Sequence, residues 1–180
     1  MSNFLSDLVE VSGNENATSV DKGLVSDIKG FISTGSYTLN ALLSGSLYGG
    51  IPNNKITALA GEQATGKTFF CFNILKTFLD DNPEGVVLYF DSEQAITSQM
   101  FEERGIDSAR VAVFPVSTIE EFRHQMIQVA DKYRADREKK PILVILDSLG
   151  NLSTLKEMED TASGKNVRDM TKAQALKATF

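Results

Sequence analysis

The sequence predicts an α/β protein in which a parallel or mixed sheet is flanked by helices. The first observation behind this fold class is that short, wholly apolar runs alternate with longer segments of helical periodicity. Such alternation is typical of a parallel sheet whose two faces are both covered. The second is that two of the runs, residues 86–90 and 142–146, end at the acidic residues Asp91 and Asp147. The third is a glycine-rich stretch, residues 61–68, between an apolar run and an apolar helix.

The strands are predicted from the apolar runs in chain order. A short apolar run bounded by turn residues is typical of a strand buried on both faces. Residues 55–60 form the first such run, and we expect a short buried strand there, directly before the glycine-rich stretch. The later strands are predicted at residues 86–90, 111–114 and 142–146.

The helices are predicted from apolar residues that recur every three or four positions. They cover residues 4–9, 39–43, 68–79, 118–135 and 168–180. The clearest apolar face belongs to the fourth helix and consists of Ile119, Phe122, Met126, Val129 and Tyr133. The last helix reaches Phe180 without a glycine, a turn or a polar tail, and this ending predicts a truncated core.

Length and composition exclude several classes of protein. The 180 residues are 42% hydrophobic and 23% charged, as in an ordinary globular domain and unlike a disordered chain or a rod. The single cysteine, Cys71, excludes an internal disulfide framework and a cysteine-based zinc site. No apolar stretch approaches the roughly 20 residues that span a bilayer, and the first ten residues lack the basic start of a secretion signal. These features predict a soluble, cytoplasmic protein without a membrane partner.

A change in composition near residue 30 predicts two parts. Residues 1–30 are mostly polar around Phe4, Leu5 and Leu8, and we interpret them as an N-terminal appendage, a short helix plus linker that serves as an oligomerisation arm. A frayed terminus is the alternative. Residues 31–180 carry the strands and helices of the core.

The glycine-rich stretch matches the nucleotide-binding pattern G-x-x-x-x-G-K-[ST] at every fixed position. It reads Gly61-Glu62-Gln63-Ala64-Thr65-Gly66-Lys67-Thr68. Glycines allow backbone N–H groups to surround a phosphate, and the N-terminus of the following helix adds a partial positive charge. Lys67 is predicted to reach the β- and γ-phosphates and Thr68 to bind Mg²⁺. A purely structural glycine loop is the alternative.

Two acidic residues extend this prediction. Asp147 closes a pure apolar strand, where a carboxylate can hold Mg²⁺ or its water; a helix N-cap is the alternative. Glu93 follows the strand at residues 86–90 and could activate water against a γ-phosphate. From the residues alone, a solvated surface glutamate is the better interpretation of Glu93.

The order of these motifs resembles the ATPase core of RecA-type recombinases. The lead-in, residues 32–36 with Leu39 and then residues 49–52, is similar as well. Residues 147–152 and 169–171 resemble the phage branch of that family. The resemblance covers residues 30–180 and only the first part of the family's core, so the expected fold is a RecA-like P-loop NTPase fold.

The resemblance implies ATP and Mg²⁺ as cofactors and assigns roles to single residues. Glu93 falls on the catalytic glutamate that polarises the attacking water. Lys67 takes the P-loop lysine role, and Thr68 and Asp147 take the Mg²⁺ roles. Met100 lies in the stretch that packs on adenine, where an aromatic residue is usual in the family.

The resemblance also implies DNA as a partner. Residues 153–167 fall on the family's first DNA-binding loop. Lys156 and Lys165 in this segment and Arg168 next to it are candidates for phosphate contacts; solvated surface positions are the alternative for each. The net charge of −6 does not exclude DNA, because residues 151–180 carry five basic and four acidic side chains.

The sequence therefore predicts an ATP-dependent DNA recombinase. Such a protein forms a homo-oligomeric helical filament on single-stranded DNA, pairs it with duplex DNA and hydrolyses ATP in a DNA-dependent manner. Recombination mediators and single-stranded-DNA-binding proteins are further expected partners, and the host bacterial cytoplasm is the expected location if the gene belongs to a phage. The alternatives are a helicase or motor ATPase with the same fold, and a nucleotide-binding assembly module without turnover.

Overall fold

The computed structural model describes residues 3–24, 26–164 and 171–180. The chain divides into two compact units, residues 1–59 and residues 60–180. None of the helices in these described ranges has the length and apolar character needed to cross a membrane. The boundary that the composition predicts near residue 30 stays a prediction.

The N-terminal unit contains two helices and a short antiparallel strand pair. Its elements are α1 (Asn3–Val11), β1 (Phe31–Ile32), α2 (Tyr37–Ser44) and β2 (Ile51–Pro52). Ile32 lies opposite Ile51 in the pair. Gly50, just before β2, has φ of 140°, and a Cβ there would lie 2.0 Å from the carbonyl oxygen of Ile32. Only glycine therefore allows the two strands to approach this closely.

A buried asparagine fixes the start of α2. Asn40 is 1% exposed, and its Oδ1 accepts hydrogen bonds from the backbone N–H and the Oγ1 of Thr34 at 2.9 and 2.8 Å. Its Nδ2 donates to Ser33 Oγ at 2.9 Å and to the Leu47 carbonyl at 3.1 Å. This amide offsets the cost of its burial because both of its ends are satisfied.

Helix α1 confirms the short amphipathic helix predicted at the N-terminus. Its large apolar side chains are exposed within the structure, among them Phe4 at 70% and Leu8 at 51%. The role of this segment as an oligomerisation arm stays a prediction.

The C-terminal unit contains a three-stranded parallel sheet in the order β4-β3-β5. Its strands are β3 (Val86–Asp91), β4 (Val111–Pro115) and β5 (Ile142–Asp147). Its helices are α3 (Lys67–Asp81), α4 (Ser98–Glu102), α5 (Ile119–Ala135), α6 (Leu155–Ala162) and α7 (Lys172–Thr179). Asp91 pairs with Asp147 in the register, so both acidic residues lie at the same edge of the sheet. The predicted α/β class with a parallel sheet flanked by helices is confirmed.

The central strand β3 is covered on both faces. Tyr89 is fully buried on one face, where its ring lies 5.9 Å from that of Phe72 on α3. Phe90 is fully buried on the other face, with the rings of Phe114 and Phe122 each 4.9 Å away. This two-sided burial explains why β3 is an unbroken apolar run.

Helix α7 packs beside α5. Ala175 and Leu176 contact the core cluster that includes Phe122, and the Phe180 ring lies 5.8 Å from the Phe122 ring. The helix predicted at residues 168–180 is observed from Lys172, and residues 168–170 lie outside the described residues.

The strand predicted at residues 55–60 is wrong. These residues form no strand and are exposed, with Ile56 at 79% and Leu59 at 37%. An apolar run becomes a strand only where a neighbour accepts its backbone hydrogen bonds. No described strand pairs with this run, so the apolar composition alone was insufficient.

Arg110 stabilises the end of α3, and its removal should lower stability. Its Nη1 donates to the carbonyl oxygens of Leu79, Asn82 and Pro83 at 3.1, 2.9 and 3.1 Å. We expect Arg110→Ala to lower the free energy of unfolding by about 1–2 kcal/mol, because charged hydrogen bonds to helix-end carbonyls are lost.

Urea denaturation measures this effect, and Arg134→Ala is the matched control. The Arg134 side chain is 82% exposed, and its ion pair with Asp131 spans 3.8 Å. A surface pair of this kind contributes little, so the control should change stability by less than about 0.5 kcal/mol. Equal losses in both variants would contradict the role of Arg110.

Candidate nucleotide-binding site

The glycine-rich loop curls around the ammonium group of Lys67. Lys67 Nζ donates to the carbonyl oxygens of Gly61 and Glu62 at 3.0 and 2.7 Å. Ala64 and Gly66 have left-handed φ values of 62° and 90°, and α3 begins directly after Gly66. The loop thus brings a cation and a helix N-terminus to one place, which is the arrangement that favours a bound anion.

Thr68 and Asp147 meet although 79 positions separate them in the sequence. The Thr68 Oγ1 donates to Asp147 Oδ2 at 2.7 Å. Thr68 stands in the first turn of α3, and Asp147 is the last residue of β5. A hydroxyl and a carboxylate oxygen are hard ligands of the kind that Mg²⁺ prefers, so the residues present fit this ion. The Asp147 side chain bonds residues of other elements, which weighs against the N-cap alternative.

Tyr89 is a second donor to the same carboxylate oxygen. Its hydroxyl donates to Asp147 Oδ2 at 2.8 Å. Burial, the hydrogen bond to Asp147 and the charge of that residue raise the pKa of Tyr89 well above its usual value. Tyr89 therefore stays protonated and orients Asp147 by donation. Tyr89 was not predicted as a site residue from the sequence. The signal available in the sequence was its place two residues before Asp91, the acidic residue that ends the same strand.

Cys71 lies close to this group of residues. Burial raises the pKa of its thiol to about 11, and the charge of Asp147 adds to the shift. The side chain is half-buried. The thiol is therefore protonated and unreactive at neutral pH, in keeping with its interpretation as a small core residue.

Asp91 shapes the turn that carries Glu93. It is 4% exposed, and its carboxylate accepts the backbone N–H groups of Glu93, Gln94 and Ile96 at 3.0, 2.8 and 3.2 Å. A buried carboxylate bonded to successive N–H groups holds the backbone in one conformation. Sequence reasoning used Asp91 only as a strand end, although an aspartate before a turn is a known signal for such bonds.

Glu93 lies beside the residue that follows Asp147. Its Oε1 accepts from Ser148 Oγ at 3.2 Å and from Asn151 Nδ2 at 2.8 Å. Ser92 supports this contact, because its Oγ donates to the Ser148 carbonyl at 2.7 Å and accepts the Ser148 N–H at 2.8 Å. Glu93 is exposed, but its carboxylate is held in place, unlike that of an unrestrained surface glutamate.

For the other predicted site residues within the described ranges, the structure gives the position but does not assign a role. Glu62 and Gln63 are exposed in the loop, and Met100 is half-buried on α4. The assignment of Met100 to an adenine contact stays a prediction. Lys156 is exposed on α6, and Lys165 and Arg168 lie outside the described residues.

The segment predicted as a DNA-binding loop, residues 153–167, contains helix α6. A capping box starts this helix: Thr154 Oγ1 accepts the Glu157 N–H at 3.0 Å, and Glu157 Oε2 accepts the Thr154 N–H at 2.8 Å. This local signal is strong enough to order the first part of the segment. Ser163 and Gly164 after it are exposed.

The fold and the site's geometry together are those of the P-loop NTPase class. A glycine-rich loop opens a helix, and the threonine at its end bonds a strand-end aspartate of a parallel sheet. The sequence model of the RecA N-terminal domain matches residues 3–179. The chain therefore belongs to the RecA family.

Two of the relatives below are recombination and repair proteins by name, and the third is a protein RecA. The recombination and repair protein of Enterobacteria phage T4 is 31% identical over 180 residues, which are 100% of the chain and 45% of that protein. The DNA repair and recombination protein RadB of Thermoplasma acidophilum is 30% identical over 129 residues, 72% of the chain and 53% of RadB. Protein RecA of Sulfurovum sp. is 31% identical over 147 residues, 79% of the chain and 39% of that RecA. The chain thus spans about half the length of these relatives or less.

Proposed function

We propose that this chain is the ATP-binding part of an ATP-dependent DNA recombinase. The protein would form filaments on single-stranded DNA, pair them with homologous duplex DNA and exchange strands. The observation that carries the ATP-binding part of the proposal is the 2.7 Å hydrogen bond between Thr68 and Asp147 at the end of the glycine-rich loop. It joins the two Mg²⁺-binding residue types at the site where Lys67 and a helix N-terminus favour phosphate. The similarity to the RecA N-terminal domain supports the recombinase part.

Each residue has a distinct task in this proposal. Lys67 exchanges its bonds to the loop carbonyls for bonds to the β- and γ-phosphates of ATP. Thr68 and Asp147 would hold Mg²⁺, which would supply positive charge to stabilise the phosphates. Glu93 accepts a proton from the water that attacks the γ-phosphate.

DNA binding and assembly belong to other parts of the chain. Residues 153–167 and the adjacent Arg168 are the proposed DNA segment. Phosphate contacts by Lys156, Lys165 and Arg168 would weaken as the salt concentration rises. The exposed apolar side chains of α1, Phe4 and Leu8 among them, support an oligomerisation arm in a helical filament. Mediators and single-stranded-DNA-binding proteins are proposed partners during loading.

The rate of ATP hydrolysis by the complete gene product, with and without single-stranded DNA, tests the proposal. We expect DNA to stimulate the rate several-fold and the stimulation to fall as salt rises, because phosphate contacts release counterions. Strand exchange between homologous DNAs should accompany it. An unstimulated rate would contradict the proposal, and directional unwinding without strand exchange would favour a motor ATPase.

A further inference from the structure

We infer that Asn151 is a positioning residue that holds the carboxylate of Glu93 for hydrolysis. This inference rests on the proposed function, in which Glu93 is the general base. Asn151 Nδ2 donates to Glu93 Oε1 at 2.8 Å, across 58 positions of sequence. The nucleotide-binding motif does not include Asn151, and the resemblance of residues 147–152 to the phage branch assigns no role to it.

The hydrogen bonds to Glu93 leave one of its two carboxylate oxygens available to accept a proton. Asn151 and Ser148 both donate to Oε1, at 2.8 and 3.2 Å. In the part of the chain that the structure describes, these are the side-chain donors to Glu93. Oε2 is therefore the atom that takes the proton from water. A carboxylate fixed at one oxygen has less freedom to turn away, and orientation of this kind contributes directly to rate.

The backbone next to Asn151 is well anchored. Leu152 is fully buried in the core cluster that contains Phe90 and Phe122. The Ser153 N–H donates to the Ser117 carbonyl at 3.1 Å, and the Ile119 N–H donates to the Ser153 carbonyl at 3.0 Å. The side chain of Asn151 is exposed, but its backbone lies one residue before the buried Leu152 and is therefore held in place. Its amide can thus serve as a fixed hydrogen-bond donor to Glu93.

The turn that carries Asn151 is also held by a contact from α7. Asn151 ends the short 3-10 helix Leu149–Asn151 that follows β5. Lys172 Nζ, at the start of α7, donates to the Gly150 carbonyl at 3.3 Å. The support for Glu93 therefore belongs to the framework around β5 and not to the glycine-rich loop.

The chemistry requires an amide at this position. A neutral amide donates a hydrogen bond to the carboxylate without adding charge, and such bonds to charged groups are among the stronger ones. An aspartate of the same shape would be ionised at neutral pH, and its negative charge would repel Glu93. Asn151→Asp thus changes the electrostatics with almost no change in volume.

The test compares Asn151→Ala, Asn151→Asp and the exposed-amide control Gln128→Ala in the complete gene product. For Asn151→Ala we expect kcat for ATP to fall about tenfold, the loss of one charged hydrogen bond, with KM and the melting temperature unchanged. Gln128, on α5, should leave kcat at the wild-type value. Asn151→Asp should lose more activity than Asn151→Ala, because its negative charge repels the carboxylate of Glu93.

A Glu93→Gln background separates the inference from the proposed function. There, Asn151→Ala should cause no further loss, since the base that it positions is gone. A wild-type kcat in Asn151→Ala, or an equal loss in the Glu93→Gln background, would overturn the inference while leaving the proposed function intact. Full turnover in Glu93→Gln itself would instead overturn the role of Glu93 on which the inference rests.

Discussion

Replacement of Glu93 by glutamine should lower ATP turnover in the complete gene product by at least about a hundredfold while ATP binding persists. The expected size is that of a lost general base. Glutamine keeps the shape of glutamate, and its Oε1 can still accept the hydrogen bonds that Ser148 and Asn151 donate at 3.2 and 2.8 Å. The variant therefore removes proton acceptance and preserves the geometry. Steady-state hydrolysis and equilibrium binding of a fluorescent ATP analogue give the two measurements.

The matched control for this prediction is Glu102→Gln. Glu102 is an exposed carboxylate on α4, and it carries the same charge as Glu93. Its replacement tests whether loss of one negative charge in this unit is enough to slow turnover. Normal turnover in Glu93→Gln, or an equal loss in Glu102→Gln, would contradict the assigned role.

Replacement of Lys67 by alanine should weaken ATP binding by at least about tenfold and abolish measurable turnover. The ammonium group is the cation that the glycine-rich loop surrounds, at 3.0 and 2.7 Å from two of its carbonyl oxygens. Without it, the phosphates lose a charged partner at a site where the charge of Asp147 opposes them; one charge-assisted bond accounts for about tenfold. Titration of the same ATP analogue measures the effect.

Lys76→Ala is the control on the same helix. Lys76 is also on α3, and it pairs with Asp80 at 3.1 Å on the exposed surface. Its loss should leave binding unchanged, because a surface pair of this kind contributes little. If Lys67→Ala bound ATP as tightly as Lys76→Ala, the interpretation of residues 61–68 as the phosphate site would be wrong.

Much of the fold was predictable because its signals are local. Helix α5 was predicted from the recurrence of apolar residues, and two of these, Ile119 and Phe122, are buried. Strands β3, β4 and β5 were predicted from apolar runs bounded by turn residues. The exception, residues 55–60, was predicted as a strand in the same way and yet forms none. Strand formation needs a hydrogen-bonding neighbour, and composition does not supply one.

The residues of the candidate site likewise divide into those that a local motif predicted and those that depend on distant partners. Lys67 and Thr68 were predicted because they belong to one short motif whose chemistry depends on adjacent residues. Tyr89, Asp91 and Asn151 were missed as site residues. Tyr89 and Asn151 act through partners 58 positions away, which no local pattern identifies. Asp91 acts by accepting hydrogen bonds from backbone N–H groups, and its residue type alone does not specify these bonds.

The sequence by itself determined the class of fold, the phosphate-binding motif and the family resemblance, because periodicity and short motifs are properties of neighbouring residues. Only the tertiary structure decided which side chains support that motif. Parallel pairing aligns Asp91 of β3 with Asp147 of β5 and so brings the residues that follow these strands to the same edge of the sheet. Thr68 of α3 meets Asp147 there. Register is a relation between distant segments, so no local pattern could have specified it.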